Sequence, residues 1–286
     1  MAEHRAGVVA LLGRPNAGKS TLLNRLLGQK LAIVTAKPQT TRSRILGIST
    51  WPDAQVLWMD TPGLHDGRGR PLNRVLNAIA LAAAEDCDVA VLLSDPVRGL
   101  GPELGALATR LRDAGRAVLV VGTQADRGAP REDEPPPDLR VSARTGEGVD
   151  ALVRAVVERL PVAPRYYDDP DHLTDRPLRW LAAEAIREAV FEELEQELPY
   201  ATAVEIEQFD ESRADCVRIR AQLLVERPSQ KGIVIGAGGE QVKRIGIRAR
   251  EALEALLETR VHLELWVKVE PNWTKRKRRL EALGYR

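Results

Sequence analysis

Eight residues constrain this chain more than any others: Gly13-Arg14-Pro15-Asn16-Ala17-Gly18-Lys19-Ser20. They fit G-x-x-x-x-G-K-[ST] at every fixed position. The apolar run at 8–12 precedes them and reads as a buried strand; residues 21–27 follow with helical periodicity, and Gly28 marks the stop. A strand that turns through such a loop into a helix begins a parallel α/β sheet. The residue types suit one chemistry. Glycines let backbone N–H groups turn inward around phosphate oxygens, and the following helix adds its positive end. Gly13, Asn16, Ala17, Gly18 and Thr21 belong to this cradle by position. Lys19 is placed to reach the β- and γ-phosphates, and Ser20 to set its hydroxyl on Mg²⁺.

The rest of the first half keeps the same rhythm. Apolar runs recur at 56–59, 89–93 and 117–121, with helical patterns at 72–84, 103–114 and 149–160. This alternation predicts a mostly parallel sheet with helices on both faces. Residues 43–50 are expected as an antiparallel edge strand against 55–59. Four prolines between 161 and 177, among acidic and turn-forming residues, read as a linker. Beyond it the pattern becomes a helix (178–197), two alternating strands (202–208 and 216–225), a short helical piece, a glycine-rich turn (236–239), a long helix to about 258, and a strand (261–269). The order is αββααβ, an α+β unit. The expected division is a nucleotide-binding domain at 1–162, a linker at 163–177 and a second domain at 178–286.

With 286 residues and 44% apolar content, two cores can form. No apolar run is long enough to span a bilayer, and the N-terminus leads directly into the first strand without an export signal. Cys87 and Cys216 fit no zinc or redox spacing, so a reduced, cytoplasmic chain is expected. Charge is uneven. Residues 227–286 hold 14 Lys/Arg against 7 Asp/Glu, a net of +7, and the total of +1 leaves −6 for residues 1–226. A basic end points to an anionic partner, or to a solvated charged face.

Three further segments of the first half are those a GTPase needs. Asp60-Thr61-Pro62-Gly63 follows a strand; Asp60 can hold the Mg²⁺ shell, and Gly63 can offer its N–H to a γ-phosphate. In Thr40-Thr41-Arg42 a threonine can close over Mg²⁺, which makes Ser20, Thr41 and Asp60 the metal set. Ser142-Ala143 can support the base from its backbone. Lys19, Thr41 and Gly63 are the catalytic candidates.

At this point a resemblance is plain. Gly13–Ser20, residues 38–42 and Asp60-Thr61-Pro62-Gly63-Leu64-His65 resemble Era, a family of bacterial GTPases of ribosome assembly. The second half agrees, through Glu226-Arg227-Pro228-Ser229-Gln230-Lys231, Ile233 to Gly239, the strand around Trp266, and Asn272-Trp273 through Leu283-Gly284-Tyr285. The resemblance implies a GTP-binding domain joined to a type II KH domain, with GTP, GDP and Mg²⁺ as ligands. It implies slow hydrolysis, because Leu64 stands where Ras-like enzymes place a water-orienting glutamine. It implies the 3′ end of small-subunit rRNA and the 30S subunit as partners, and peripheral association with the inner face of the cell membrane, for which the chain offers no membrane-seeking helix. For Asn16 two readings stand: a partner for a monovalent cation such as K⁺ that would neutralise developing charge, or a turn-former capping its own loop.

Two places depart from the pattern. Guanine recognition uses Asn-Lys-x-Asp, and here the segment is Thr123-Gln124-Ala125-Asp126. The carboxylate that excludes adenine remains, while Thr123 and Gln124 are shorter or uncharged. Residues 127–137 are too short and proline-rich for the expected crossover helix. Affinity for guanine nucleotides is expected to fall about ten- to a hundredfold for one lost buried hydrogen bond. In the KH half, Ile235-Gly236-Ala237-Gly238-Gly239 fits the G-x-x-G loop that approaches an RNA backbone, with Ala237 where relatives often carry lysine. Lys243, Arg244 and Arg248, with Arg250, are candidates to line the groove, though helical spacing does not put all four on one face. The block at 275–279 reads as RNA contact or solvated surface; Trp266 is expected in its strand's hydrophobic face, and Trp273 as an anchor for the tail. The expected function is a GTP-dependent, rRNA-binding factor of 30S maturation. Its rivals are a KH assembly factor with a decayed nucleotide site, a P-loop NTPase of relaxed base choice, and a GTPase of tRNA modification.

Overall fold

The computed structural model describes residues 3–283 apart from 36, 38–40, 42–43, 65–70 and 129–134. The quoted segments around Thr40, Arg42, His65 and Tyr285, and most of the proline-rich loop, lie outside the described residues.

The first unit is a six-stranded sheet. Its strands are β1 (Arg5–Gly13), β2 (Ile45–Thr50), β3 (Ala54–Asp60), β4 (Val89–Ser94), β5 (Ala117–Gly122) and β6 (Leu139–Arg140), in the order β2-β3-β1-β4-β5-β6. All neighbours are parallel except β2 and β3, which pair antiparallel from Ile45↔Asp60 to Thr50↔Gln55. Helices α1 (Lys19–Leu27), α2 (Pro71–Asp86) and α3 (Pro102–Asp113) lie between strands, and α4 (Val149–Val157) follows β6. In α3, Pro102 opens the helix, Glu103 lies in the first turn, and Arg110 and Arg112 in the last, which suits the helix dipole. Its Leu104, Leu107 and Leu111 share one face and pack on Leu12, Leu92, Ala80 and Ala84. Burying each such leucine contributes about 1.5–3 kcal/mol. This packing holds α2 and α3 on β1 and β4, and the functional segments emerge at the carboxyl ends of β1, β3 and β5.

The stretch expected as a linker is bonded to this unit as far as residue 175. Ala163 exchanges hydrogen bonds with His4, Leu173 accepts from Ile48 N at 2.8 Å, and Thr174 Oγ1 donates to Leu46 O at 2.6 Å. Gln55, fully buried in β3, is satisfied by the same stretch: its Oε1 accepts from Tyr166 N and Tyr167 N, and its Nε2 donates to Tyr167 O. A buried amide without these partners would cost about 1–3 kcal/mol, so the stretch is part of the fold.

The second unit comprises Ile33–Thr40 and Arg176–Arg286. It contains α5 (Leu178–Glu193), β7 (Ala203–Asp210), β8 (Cys216–Val225), α6 (Pro228–Ile235), α7 (Glu240–Leu257), β9 (Arg260–Val269) and α8 (Lys277–Ala282). The sheet order is β7-β8-β9, with β7 antiparallel and β9 parallel to β8. The expected αββααβ order is present. Helix α5 ends at Glu193 rather than 197: Leu194 is extended and buried, and Pro199 excludes a continued helix. On α7, Ile245, Ala249 and Leu253 form the stripe that packs with Ile186, Val190, Ile219 and Leu223.

Trp266 is a correction. Strand residues alternate faces, and Val261, Leu263, Leu265, Val267 and Val269 take the helix-covered side. Trp266 therefore lies on the opposite side, with the Arg220 guanidinium 5.4 Å from its ring centroid. Trp273 is buried with Ala203 and Leu224 under Leu280 and Leu283, and it anchors the tail as expected. In the basic block, Arg279 bridges Glu205 and Glu270 at 2.7–3.1 Å, and Arg276 pairs with Glu270 at 2.9 Å. These two arginines hold the tail to its own domain, and Arg279 keeps the Glu205 carboxyl below its usual range.

Candidate nucleotide site and nucleic-acid interface

The phosphate loop connects β1 to α1. Asn16 and Gly18 both take left-handed backbone, at φ 64° and 91°, which asparagine tolerates and glycine adopts freely. That geometry accounts for asparagine as a turn-former. Lys19 folds under the loop, its Nζ donating to Gly13 O at 3.1 Å and Arg14 O at 2.9 Å. It is 5% exposed, and burial lowers its pKa to about 8 against the raising effect of Asp60. A buried ammonium whose hydrogen bonds among the described residues go to two carbonyls suits an incoming polyanion.

Asp60, at the end of β3, is fully buried. Ser20 Oγ donates to its Oδ2 at 2.6 Å, Thr41 Oγ1 approaches the same oxygen at 3.3 Å, and the two hydroxyls lie 3.0 Å apart. Burial raises the Asp60 pKa, opposed first by Lys19. Its other oxygen, Oδ1, is buried without a hydrogen-bond partner among the described residues. A buried carboxylate oxygen with no donor, beside two hydroxyls, fits a hard cation such as Mg²⁺ with its water shell. The expected metal set thus converges on one carboxylate.

Gly63 follows, and its size has a reason the sequence did not show. A Cβ there would lie 2.6 Å from Pro15 N and 2.8 Å from Pro15 Cα. Leu64 N donates to Gly13 O at 3.0 Å, so this segment lies directly on the phosphate loop. Leu64 packs half-buried against the core around Leu12 and Leu104, and offers nothing to orient water.

At the base end, Thr123 keeps a bracing role: its N donates to Ser94 O at 2.8 Å and its Oγ1 reaches the same oxygen at 3.3 Å. Gln124 is left-handed (φ 53°), and its Nε2 lies 3.5 Å from Asn16 O. Asp126 receives Ser142 Oγ at 2.5 Å and Arg144 Nε at 3.0 Å. Both hold its carboxyl below the usual range, Ser142 the more. Ala143 follows Ser142, which takes Thr145 N on its hydroxyl at 3.2 Å and so shapes this loop. Between β5 and β6 the described residues contain one 3-10 turn, Ala125–Arg127.

In the second unit, Gly236, Gly238 and Gly239 all have positive φ, at 75°, 59° and 83°. A Cβ on Gly236 would meet Gln241, whereas at Gly238 and Gly239 it would meet nothing within 4 Å. The backbone there is open to a close-lying chain, and Ala237 is exposed beside it. Ile235 is half-buried at the end of α6. Arg244 and Arg248 face α5, where they pair with Glu193 and Glu192 at 2.9–3.3 Å. Lys243, Ile247 and Arg250 share another face of α7 and are exposed, as is Ile233. An open glycine turn beside exposed isoleucines and cations suits single-stranded RNA, whose bases need apolar support and whose phosphates need charge. Gly238→Asp is therefore expected to reduce RNA affinity at least about tenfold through phosphate repulsion, with Tm nearly unchanged, because aspartate tolerates left-handed backbone. Fluorescence anisotropy with a labelled oligonucleotide checks it.

Comparison with known proteins decides the family. A family model described as a 50S ribosome-binding GTPase matches residues 8–124, and a KH domain model matches 197–274. GTPase Era of Azotobacter vinelandii is 44% identical, over 99% of this chain and 97% of that protein. GTPase Era of Geobacter metallireducens is 44% identical over 98% of both. The chain belongs to the Era family. A crystal structure of an Aquifex aeolicus Era variant bound to GDP·AlF4− matches with TM-score 0.89 at 33% identity, over 98% of this chain and 99% of that one. A structure of Era in complex with MgGDPNP and nucleotides 1506-1542 of 16S ribosomal RNA matches with TM-score 0.89 at 34% identity, over 99% of both chains.

Within this Era-family chain, the GTPase match stops at Gln124, two residues before the carboxylate that contacts Arg144. Sequence reading missed Arg144, because a lone arginine after Ser-Ala has no pattern. It missed Ile233 and Ile247 because apolar residues on a helix read as core, and only burial shows that these two are not.

Proposed function

We propose that this chain is a guanine-nucleotide switch that hydrolyses GTP slowly, binds the 3′ end of small-subunit rRNA and acts in 30S maturation. The observation that carries this reading is the full-length likeness, in both domains, to Era in complex with MgGDPNP and 16S rRNA nucleotides. Gly13, Asn16, Ala17, Gly18, Lys19, Ser20 and Thr21 are assigned to the phosphates. Ser20, Thr41 and Asp60 are assigned to Mg²⁺, which when bound would neutralise charge between the β- and γ-phosphates. Thr123, Gln124, Asp126, Ser142 and Ala143 are assigned to the base. Lys19, Thr41 and the Gly63 N–H stabilise charge on the transferred phosphoryl group; with Leu64 at the water position, hydrolysis is slow. Ile235–Gly239 and Lys243 form the RNA site. Arg244 and Arg248 join it to the extent that they leave Glu192 and Glu193. No helix among the described residues is long and apolar enough to cross a membrane, and the proposed location is the cytoplasm.

Coupling is assigned to the stretch before Thr41. Ile33–Thr40 groups with the KH unit, where Val34 N donates to Glu188 Oε1 at 3.2 Å and Lys37 Nζ donates to the carbonyls of Phe191 and Leu194. Thr41, the next residue, approaches Asp60. A γ-phosphate that draws Thr41 inward therefore pulls on a segment held by α5.

Calorimetric titration tests the nucleotide half. With Mg²⁺ present, GDP and a non-hydrolysable GTP analogue bind and the ATP analogue does not. Absence of guanine-nucleotide binding at millimolar concentration would leave an RNA-binding factor with a decayed nucleotide site.

A further inference from the structure

Asp126 is engaged by its own chain in a way that matters for the base. The Arg144 guanidinium sits on Asp126 Oδ2, with Nε at 3.0 Å and NH2 at 2.8 Å. The Asp126 side chain is 11% exposed, whereas that of Arg144 is 73% exposed. Guanine would present N1–H and the N2 amino group to this carboxylate, two roughly parallel donors. A guanidinium edge presents the same pattern, two N–H donors in a fixed fork. Ser142 does not compete in this way. It donates to Oδ1, the other carboxylate oxygen, is itself buried, and is tied into its turn by Thr145 N.

We propose that Arg144 is an internal competitor of guanine for the Asp126 carboxylate, so that it lowers affinity for guanine nucleotides and narrows their advantage over adenine nucleotides. The proposal rests on the reading of Asp126 as the carboxylate that recognises the base. Guanine can enter the carboxylate only as the guanidinium leaves it. Arg144 can leave readily, because most of its side chain is already in solvent. Adenine gains nothing from the carboxylate, having no donor at N1, so the competition does not touch it. Gln124 strengthens the consequence: lacking the reach and charge of a lysine over the base, it gives guanine less help in displacing the arginine. The site is thereby tuned by an ion pair, and salt relieves the tuning by screening that pair.

The test is calorimetric titration of wild type, Arg144→Ala and Arg144→Lys with GDP and with ADP, in Mg²⁺, at low and high salt. Arg144→Ala is expected to bind GDP about two- to fivefold more tightly than wild type, the scale of an exposed ion pair, with ADP unchanged. Arg144→Lys, which keeps the charge without the fork, is expected between the two. At about 1 M salt, where the screening length is roughly 3 Å, the advantage of Arg144→Ala is expected to shrink towards unity. Equal or weaker GDP binding by Arg144→Ala overturns the proposal; weaker binding would mean that the side chain helps to hold the base. If wild type and variant both fail to bind GDP at millimolar concentration, the nucleotide reading itself falls and this inference with it. Binding by wild type keeps the two failures distinct.

Discussion

Lys19→Met is expected to bind GDP at least about a hundredfold more weakly, because two or more charge-assisted hydrogen bonds to phosphate disappear, each contributing about 1.5–3 kcal/mol. Loss of affinity alone would also follow from misfolding. The buried state of Lys19 supplies the second readout. Its folded pKa is lowered from 10.5 to about 8. A lysine lowered in this way opposes folding when protonated. The opposition is complete below about pH 8, fades as pH rises, and is gone above about 10.5. It amounts to about 3 kcal/mol at most, and loss of the attraction between Lys19 and Asp60 offsets part of any gain on substitution. Without nucleotide, Lys19→Met should therefore melt within about 3 °C of wild type, roughly 1 kcal/mol for a domain of this size. Between pH 8 and 10.5 it should also lack the gain in stability that wild type shows. Thermal melts across that range decide the matter. A variant that unfolds outright would show that Lys19 is structural.

The second large effect comes from Gly63. An alanine Cβ at 2.6–2.8 Å from the Pro15 backbone cannot be absorbed by a flexible side chain, because the obstacle is backbone. Gly63→Ala must push the phosphate loop away or distort its own segment, at a cost of about 1–3 kcal/mol. The loop's N–H groups then miss their phosphate positions, and GDP affinity is expected to fall at least about tenfold. Gly105→Ala is the control. Gly105 lies inside α3, a Cβ there meets nothing within 4 Å, and alanine should stabilise the helix by about 0.5–1 kcal/mol. Melting curves of opposite sign, with affinity lost only in Gly63→Ala, are the expected result. Unchanged affinity in Gly63→Ala would separate this glycine from the phosphate site.

Much of this architecture is legible in the sequence, for identifiable reasons. Strand β8 is found at the residues its alternation predicts, and α3 and α4 start within one residue of expectation, because apolar spacing and a leading proline or glycine mark them. The phosphate loop is legible because its chemistry dictates residue types at fixed spacing. Position in space is not legible in the same way. Trp266 reads as core because it is large and apolar, but strand parity puts it on the other face, where Arg220 covers it. The stretch to residue 175 reads as a linker from its prolines, yet its backbone satisfies buried Gln55, a demand that spacing cannot reveal. Val34 and Lys37 fall within the expected first domain, yet they bond to Glu188 and to the Phe191 and Leu194 carbonyls of the second unit's α5 region. Arg244 and Arg248 read as candidates to line the RNA groove, and only the turn of α7 towards α5 shows Glu192 and Glu193 beside them.

The central claim is that nucleotide state governs RNA binding through the segment before Thr41. Its most direct test is the affinity for an oligonucleotide with the 3′-terminal sequence of small-subunit rRNA, measured with Mg²⁺ and either GDP or a non-hydrolysable GTP analogue. The account predicts tighter binding with the GTP analogue, and loss of that difference in Lys37→Ala, which releases the segment from the Phe191 and Leu194 carbonyls. Equal RNA affinity in GDP, in the GTP analogue and without nucleotide would contradict it.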